Sequence, residues 1–431
     1  MKTSTEPSAT PSLSVPKAQA CILDRIAPLG TEEVGLGEAL GRALAEEVRA
    51  NRDLPPYDVS AMDGYAVRAT DIKDTPQTLQ VIEDIKAGDT PRFSLQPGQC
   101  ARIMTGAPLP PGADTIVRVE DTHPLENGKV EFPVPVKHAT DIRRRGENMR
   151  QGDVVLQSGE EITPGTVGVL ATVKQAKVKV VRKPRVAILS NGDELEALDE
   201  PFDPRKIPDS NSHALMAQVQ ALGIAPVLLG IARDKPEELA EFIKRGLEYD
   251  VLLISGGTSV GVHDHVRPTL ATLGVTMHFW RVEMRPGHPV AFGTSERALV
   301  FCLPGNPVSS MVCFEQLVLP ALRRLMGHRR LFRRTIPVRL TQAIKSRQGR
   351  AEFIRATLSR DASGGYAATP GASQSSADIL SMMRADALLV APGGRNGLAT
   401  DEIAQAQLLE IAIWQDTPDT ENYAPNYVPK T

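Results

Sequence analysis

Short apolar runs alternate with amphipathic stretches between residues 185 and 327, and this alternation limits the possible folds more than any other feature of the chain. The apolar runs occupy residues 186–189, 226–229, 251–254 and 298–301. Between them, apolar residues recur at helical spacing, as in Leu215, Val219 and Leu222. Apolar strands separated by helices are typical of a parallel sheet that is covered on both faces. We therefore predict an α/β domain in this part of the chain.

Other patterns flank this region on both sides. Residues 15–50 carry apolar residues at three- and four-residue steps, which predicts helix. Residues 52–140 hold short β-like runs that proline and glycine interrupt. From residue 331 onward the apolar residues alternate with period two, and residues 363–365 are expected to form a hairpin turn. The fold class that follows is α/β plus β-rich domains in one multidomain chain, with a small β-barrel or sandwich near the C-terminus.

The charge balance argues against a nucleic-acid binder. The chain has 49 Lys and Arg residues against 52 Asp and Glu, with a net charge of −3 and no basic stripe. No stretch approaches 18 consecutive apolar residues, so we expect no membrane span. The four cysteines lack the spacing of a zinc site, and Cys302 and Cys313 lie in apolar runs, which favours a reducing, cytoplasmic location. Residues 1–14 are rich in Ser, Thr and Pro and are expected to form a disordered tail.

Three of the predicted strands end in polar or glycine-rich turns. These turns are residues 190–195, 255–261 and 303–310. The carboxyl ends of parallel strands meet at one edge of a sheet, where glycines let backbone N–H groups approach an anion closely. A single loop of this kind is more simply a tight turn. Three of them at one edge favour an anion or nucleotide site.

Charged side chains near these turns suit phosphoryl-type or oxyanion chemistry. Asp193, Glu194 and Asp264 would place carboxylates at this edge, and Mg²⁺ takes one or two carboxylates together with substrate phosphates. Arg281 and Arg285 could hold tetrahedral or planar anions through their fixed forks of donors. The sequence thus predicts both a cation site and an anion site here.

Some neighbouring residues have a simpler structural explanation. Asp234 precedes Pro236 and Glu237, so an N-cap pair with Glu237 is at least as good an interpretation as a catalytic role. A lone histidine such as His288 is weak evidence for a site. The three arginines at residues 143–145, taken alone, are more typical of a solvated face.

Several motifs occur in a fixed order between about residue 15 and residue 412. They are SAMDGYA at residues 60–66, RIMTGAP at 102–108, RRRGEN at 143–148, GDEL at 192–195, DSN at 209–211, SGGTSVG at 255–261 with Asp264, LPGNPVS at 303–309, GRAEFIR at 349–355 and QSS at 374–376. Together they resemble the molybdopterin molybdenumtransferase family, which includes bacterial enzymes and the C-terminal part of gephyrin. Any one motif could arise by chance, but an ordered series of this length could not.

The resemblance implies four domains between two tails. The expected boundaries are residues 1–14 for a disordered tail, 15–51 and 141–182 for a discontinuous elongated domain, 52–140 for an inserted β-rich domain, 183–330 for an α/β molybdopterin-binding domain, 331–416 for a C-terminal β-barrel and 417–431 for a second tail. Family members are homodimers whose cleft is completed by the partner's inserted domain. Asp63, Thr105 and Arg143 are therefore expected to act across the subunit boundary.

The resemblance also implies an activity, which is insertion of molybdate into adenylylated molybdopterin with release of AMP and with Mg²⁺ as cofactor. Further implied partners are the adenylyltransferase that supplies the substrate and the molybdoenzymes that accept the product. The catalytic residues expected are Asp63, Thr105, Glu194, Asp234 and Asp264, and Asp264 and Glu194 are the expected metal ligands. The expected substrate-binding residues are Arg143, Asp193, Ser255, Gly256, Gly257, Ser259, Arg281, Arg285, Pro304, Gly305, Asn306, Ser309 and Ser376.

Several positions depart from the commonest family pattern, and two other functions compete with the one above. Asn148 and Asn191 stand where Asp and Thr are usual, and Lys235 replaces a second acid. Lysines are frequent at the positions of Arg281, Arg285 and His288. These changes fit a paralogue with altered metal preference. The competing functions are a molybdopterin adenylyltransferase, whose single domain resembles residues 183–330, and a non-catalytic scaffold, as the gephyrin relationship allows.

Overall fold

The computed structural model describes residues 12–257, 265–346, 348–360 and 364–409. Its contacts divide the chain into two compact units. Unit 1 comprises Met1–Glu32, Gly41–Ala43 and Val180–Thr431, and unit 2 comprises Glu33–Leu40 and Leu44–Lys179. Each unit is described by itself below.

The α-helices of the described residues are mostly short. They are α1 (Val15–Leu23), α2 (Leu36–Ala39), α3 (Pro164–Thr172), α4 (Ser210–Gln220), α5 (Pro236–Gly246), α6 (Val266–Thr272), α7 (Pro307–Cys313), α8 (Leu319–Leu325) and α9 (Ile379–Met383). One turn of π-helix, Phe314–Val318, joins α7 to α8. Three 3₁₀ segments lie at Ala69–Ile72, Val119–Asp121 and Glu126–Gly128.

The strands fall into two groups along the chain. Before residue 183 they are β1 (Thr31–Gly35), β2 (Val48–Arg49), β3 (Val59–Ser60), β4 (Gly64–Val67), β5 (Gln77–Ile85), β6 (Gln99–Ile103), β7 (Thr115–Arg118), β8 (His123–Pro124), β9 (Lys129–Phe132), β10 (Ile142–Arg143), β11 (Val154–Leu156) and β12 (Lys177–Val181). After it they are β13 (Val186–Asn191), β14 (Leu195–Glu196), β15 (Ile207–Pro208), β16 (Val227–Ala232), β17 (Val251–Ser255), β18 (Thr276–Phe279), β19 (Met284–Arg285), β20 (Ala291–Thr294), β21 (Leu299–Leu303), β22 (Thr335–Leu340), β23 (Ile344–Lys345), β24 (Ala351–Arg360), β25 (Tyr366–Pro370), β26 (Ala387–Ala391), β27 (Gly397–Leu398) and β28 (Ile403–Leu408).

The central sheet of unit 1 has the strand order β16-β13-β17-β21-β20-β18. Strands β16, β13, β17 and β21 are parallel, as the sequence predicts. The sheet also has two antiparallel strands that were not predicted, since β20 runs antiparallel to β21 and β18 runs antiparallel to β20. Polar residues or glycine interrupt both strands, so neither shows the continuous apolar run by which the other strands are recognised. The mixed sheet with helices still confirms the predicted α/β class.

Both faces of the central strands β13, β17 and β21 are buried, which explains why these strands are almost entirely apolar. Along β17, Val251 and Leu253 join one apolar core, whereas Leu252 and Ile254 join the other. Successive side chains of a strand point to opposite faces, so a strand covered on both sides buries all of them. Helix α4 covers one face and begins at Asp209, whose carboxylate accepts a hydrogen bond from the Ser212 N–H at 3.1 Å.

The C-terminal strands of unit 1 close into a barrel. The order β24-β25-β22-β28-β26 returns to β24 through the β24–β26 pairing. Strands β24 and β25 are antiparallel neighbours, as expected for a hairpin, although residue 363 of the predicted turn lies outside the described residues. Alternate residues such as Ile354, Ala356 and Leu389 fill the interior. The prediction of a small β-barrel or sandwich is confirmed as a barrel.

The main sheet of unit 2 has the order β7-β4-β6-β5-β9-β8. Apolar side chains pack on both of its faces, for example Tyr65 and Val67 on one and Ala66 and Ile85 on the other. At Gly64 an added Cβ would lie 2.0 Å from the Val117 carbonyl oxygen, so this position of the SAMDGYA motif requires glycine.

The helical prediction for residues 15–50 is only partly right. Helix α1 has its expected place, but β1 follows it and α2 is a single turn. Glycines at Gly30, Gly35, Gly37 and Gly41 interrupt the apolar spacing and disfavour a continuous helix. Of the predicted N-terminal tail, residues 12–14 are described, and Leu13 forms a parallel bridge with Val282.

None of the helices in the described ranges is long and apolar enough to cross a membrane. No disulfide joins the four cysteines, and Cys100, Cys302 and Cys313 are buried, as apolar surroundings predict for the last two. Burial raises the pKa of Cys100 to about 12 and also raises the pKa of Cys313. Both thiols therefore stay protonated and behave as small apolar groups.

An ion pair anchors the start of β17. Arg182 donates to both carboxylate oxygens of Asp250, at 2.7 and 3.0 Å, and the Arg185 N–H donates to Asp250 at 2.8 Å. Burial by itself raises the pKa of Asp250, but the hydrogen bonds from Arg182 and Arg185 outweigh it and bring the pKa to about 2. The stabilisation is therefore fully present above about pH 4 and is lost as the pH falls towards 2.

We expect Asp250→Asn to lower the free energy of unfolding near neutral pH by about 1–2 kcal/mol, because the charged partner of Arg182 is removed. The variant should also show a shallower loss of stability between about pH 4 and pH 2 than the wild type. Denaturant unfolding at several pH values measures both quantities. Asp401→Asn is the matched control, since the Arg339–Asp401 pair at 3.2 Å is exposed and should contribute less than about 0.5 kcal/mol. Equal effects of the two substitutions would contradict the assignment.

Candidate active site

A cavity of about 860 Å³ lies in unit 1 at the carboxyl ends of β13, β17 and β21. The three strand-end turns selected from the sequence all contribute to its wall. The lining residues are Asn191, Glu194, Leu195, Ile207, Pro208, Asp209, Ser210, Asn211, Ser255, Gly256, Arg281, His288, Pro289, Pro304, Gly305, Asn306, Pro307 and Ala377. The size is that of a pocket for a cofactor-sized organic ligand.

Asn211 joins two of these turns. Its side-chain nitrogen donates to the Ser255 hydroxyl at 2.9 Å and to the Gly305 carbonyl at 2.8 Å. Gly256 has φ +94°, and an added Cβ would lie 2.4 Å from the Asn191 carbonyl oxygen. The turns after β13, β17 and β21 are therefore in close contact, and only glycine fits at position 256.

The two candidate anion-binding arginines differ in their surroundings. Arg281 is exposed and lines the cavity, and in the part of the chain that the structure describes no carboxylate forms an ion pair with it. Arg285 does not line the cavity, and its guanidinium lies 3.4 Å from the Glu352 carboxylate. Glu352 is buried, so this pair fixes Arg285 at the edge of the barrel. The structure brings only Arg281 to the pocket.

His288 lines the cavity together with Arg281, although a lone histidine is weak evidence for a site in the sequence. Its Nδ1 lies 2.7 Å from the Val282 carbonyl oxygen. Since a carbonyl can only accept, Nδ1 carries the proton of the neutral ring and Nε2 is the acceptor.

The carboxylates of the first turn have separate roles. Glu194 is exposed and lines the cavity. Asp193 does not line it and instead accepts a hydrogen bond from the Asp234 N–H at 3.1 Å. Of these two carboxylates, the structure places only Glu194 at the pocket.

The interpretation of Asp234 and Glu237 as an N-cap pair is wrong. The N-cap of α5 is Lys235, and no side chain caps that helix. The Asp234 carboxylate instead accepts a hydrogen bond from the side-chain nitrogen of Asn191 at 2.7 Å, and Glu238 accepts from the Arg233 N–H. The local sequence resembles a capping box, but a partner on β13 competes successfully for the carboxylate.

Some expected site residues are not in the pocket wall or cannot be placed. Ser259 and Asp264 lie outside the described residues. Gly257 follows the lining residue Gly256 and has φ +63°. Ser309 is buried and does not line the cavity. The Ser376 carbonyl accepts from the Val308 N–H at 3.1 Å, next to the lining residue Ala377.

Within the described ranges no three His, Cys, Asp or Glu residues are grouped to hold a metal ion. The expected ligand pair of Asp264 and Glu194 thus remains a prediction, with Glu194 at the pocket.

Three expected site residues belong to unit 2. The Asp63 carboxylate accepts hydrogen bonds from the Thr105 N–H at 2.7 Å and the Thr105 hydroxyl at 2.8 Å. The Thr105 N–H bond is the main cause of a lowered pKa of Asp63, so the carboxylate is charged at neutral pH. Arg143 is exposed on β10. Thr105 thus holds the negatively charged Asp63 carboxylate in a fixed position at the surface of unit 2.

The sequence reasoning did not select Asn191, Asp209 or Asn211 as site residues. The last two belong to the DSN motif, so the motif was a usable signal. Asn191 was noted only as a departure from the family pattern. Its position at the end of β13 and beside the turn after β17 was the available clue.

Three family models match the chain in order. They are the MoeA N-terminal region (domain I and II) at residues 13–173, a probable molybdopterin binding domain at 187–324, and the MoeA C-terminal region (domain IV) at 337–409. The matches outside residues 187–324 disfavour the single-domain adenylyltransferase alternative.

Full-length relatives give the same result. A molybdopterin molybdenumtransferase of Nostoc sp. is 38% identical over 380 residues, covering 86% of this chain and 87% of the relative. The protein of that name from Bacillus subtilis is 34% identical, covering 88% and 90%. A crystal structure of the molybdopterin biosynthesis moeA protein from Pyrococcus horikoshii matches with a TM-score of 0.81 and 29% identity, covering 93% of this chain and 100% of that one. The chain therefore belongs to the molybdopterin molybdenumtransferase family.

Proposed function

We propose that this protein inserts molybdate into adenylylated molybdopterin and releases AMP, as the names of its relatives suggest. The observation that carries the proposal is the cavity at the ends of β13, β17 and β21, which combines glycine-rich turns, an arginine and a carboxylate. Such a cavity suits a ligand with a fused ring and phosphates. The reaction would take place in the cytoplasm.

The residues present fit a magnesium ion. Glu194 offers a hard oxygen ligand at the cavity, and within the described ranges no cation pairs with it. Mg²⁺ commonly takes one or two carboxylates and completes its shell with phosphate oxygens and water. Glu194 and Asp264 are the residues that would hold it. When bound, the ion would withdraw charge from the phosphoanhydride of the substrate.

Arg281 is the residue that we assign to molybdate. Its guanidinium lines the cavity and has no carboxylate partner among the described residues, so its donors are available to an oxyanion. Ser255 and the turn at residues 304–306 line the same wall and would hold the phosphates and the pterin. Positioning and charge stabilisation would supply most of the rate enhancement, because no side chain of the described pocket wall is assigned as a nucleophile.

We further propose that the protein is a homodimer in which Asp63, Thr105 and Arg143 serve the partner's pocket. In support, Asp63 is charged and held at the surface by Thr105. A closed two-fold dimer repeats such a mixed site twice. An adenylyltransferase would supply the substrate, and molybdoenzymes would accept the product.

The metal assignment can be tested with Glu194→Gln, which removes the charge but keeps the shape. We expect AMP release to fall at least about tenfold and the Mg²⁺ concentration for half-maximal activity to rise, because an amide binds Mg²⁺ more weakly than a carboxylate. Asp264→Asn should abolish AMP release. Glu241→Gln on the exposed face of α5 is the control and should behave as wild type. An unchanged Mg²⁺ requirement in Glu194→Gln would remove Glu194 from the metal site.

The two arginines provide a matched pair for the anion site. We expect Arg281→Ala to raise the KM for molybdate by about ten- to a hundredfold, the effect of losing a charged hydrogen bond to a ligand. Arg285→Ala should change that KM much less and should lower the melting temperature, because the buried Glu352 loses its ion pair with Arg285. Steady-state kinetics and thermal unfolding separate the two results. The reverse pattern would assign molybdate to Arg285.

The dimer proposal predicts complementation between inactive subunits. Asp63→Ala and Glu194→Ala chains, each inactive alone, are mixed under conditions that exchange subunits. If Asp63 acts in the partner's site, each mixed dimer has one intact site, and random exchange should restore about a quarter of wild-type activity. If both residues act within one subunit, every active site of the mixed dimer lacks either Asp63 or Glu194, and no activity should return. Absence of recovery despite demonstrated exchange would then exclude the shared cleft.

A further inference from the structure

Two buried polar groups at the end of β13 have no hydrogen-bond partner in the described part of the chain. The Ser190 hydroxyl and the Asn191 side-chain oxygen are buried, and neither has a hydrogen-bond partner among the described residues. Asn191 is only 6% exposed and also lines the cavity. A buried acceptor without a donor destabilises the unliganded protein, so native proteins seldom keep one without a function.

The orientation of the Asn191 amide follows from its neighbour. One side of the amide lies 2.7 Å from the Asp234 carboxylate oxygen. A carboxylate only accepts, so the atom facing Asp234 must be the NH₂ nitrogen. The unpaired atom is therefore the carbonyl oxygen, and the missing partner is a donor.

We infer that Asn191 is a substrate-binding residue whose side-chain oxygen accepts a hydrogen bond from an N–H or O–H group of the bound pterin nucleotide, while its nitrogen positions Asp234 beside the same pocket. The inference rests on the proposed function. The Gly256 backbone packs against the backbone carbonyl of Asn191, so Asn191 is held at the junction of two of the pocket's turns. Oxyanions are excluded as partners of this oxygen, because they offer no donor.

Asn191→Leu tests the contact, because leucine has a similar volume and no polar atom. The measured quantities are the Kd values of adenylylated molybdopterin, molybdopterin alone and AMP alone, together with the melting temperature of the free protein. We expect the Kd for the whole substrate to rise about tenfold, the effect of losing one hydrogen bond. The melting temperature should change little, since the substitution removes an unpaired buried acceptor but also the hydrogen bond to Asp234. If the Kd of molybdopterin alone also rises, the donor belongs to the pterin. If the Kd of AMP alone also rises, the donor belongs to the nucleotide.

Two further variants separate this contact from a purely structural role. Asp234→Asn keeps an acceptor for the Asn191 nitrogen, so the Kd should stay within about twofold of wild type while turnover falls. Asn51→Leu is the control, because Asn51 donates to the Val173 carbonyl at 2.6 Å within unit 2 and should affect stability without changing the Kd. A Kd that rises equally in Asp234→Asn and Asn191→Leu would show that the effect passes through Asp234, which overturns the direct contact.

The outcome separates this inference from the proposed function. If the wild type releases AMP on adding molybdate and Asn191→Leu binds every probe as tightly, the inference fails and the function stands. If the wild type binds pterin without turnover and Asn191→Leu binds it less tightly, the function fails and the contact stands. A wild type that binds neither fragment nor substrate overturns both.

Discussion

The parallel alignment of β13, β17 and β21, buried on both faces, is the constraint on which the rest of the structure depends. Because apolar cores cover both sides of these strands, polar groups can be placed only at their ends. Parallel strands direct their carboxyl ends to one edge, so three turns that are far apart in sequence meet there. The cavity, the contacts of Asn211 and the position of Glu194 all follow from this arrangement.

Features that depend on local pattern were predictable from the sequence. The four parallel strands of the α/β domain, helices α4 and α5, and the C-terminal β-strands each show the expected periodicity, and the structure confirms them. The antiparallel strands β18 and β20 were missed because polar residues or glycine interrupt them, so they show no continuous apolar run. Before residue 50 the helical spacing of apolar residues was misleading, because glycines lie between them. In both cases the apolar pattern was too interrupted to outweigh tertiary context.

Features that depend on a distant partner were not predictable. Arg281 and Arg285 look equivalent in the sequence, but Glu352 of the barrel pairs with only one of them. The register of β19 against β24 places Arg285 opposite Glu352, and nothing within residues 281–288 reveals it. Asp234 shows the same limitation, because its partner Asn191 lies 43 residues earlier. When a side chain has several possible partners, the tertiary structure determines which partner it contacts, and the neighbouring residues in the sequence do not reveal it.

The segment that carries Arg281 and His288 is held from two remote parts of the chain. Leu13 bridges to Val282 on one side of it, and β19 pairs with β24 of the barrel two residues later. Neither contact can form unless the N-terminal residues and the barrel are in their places. The part of the pocket wall that holds Arg281 and His288 therefore depends on residues from both ends of unit 1. Changes at the Leu13–Val282 bridge or in the β19–β24 pairing should thus alter ligand binding without touching the pocket wall itself.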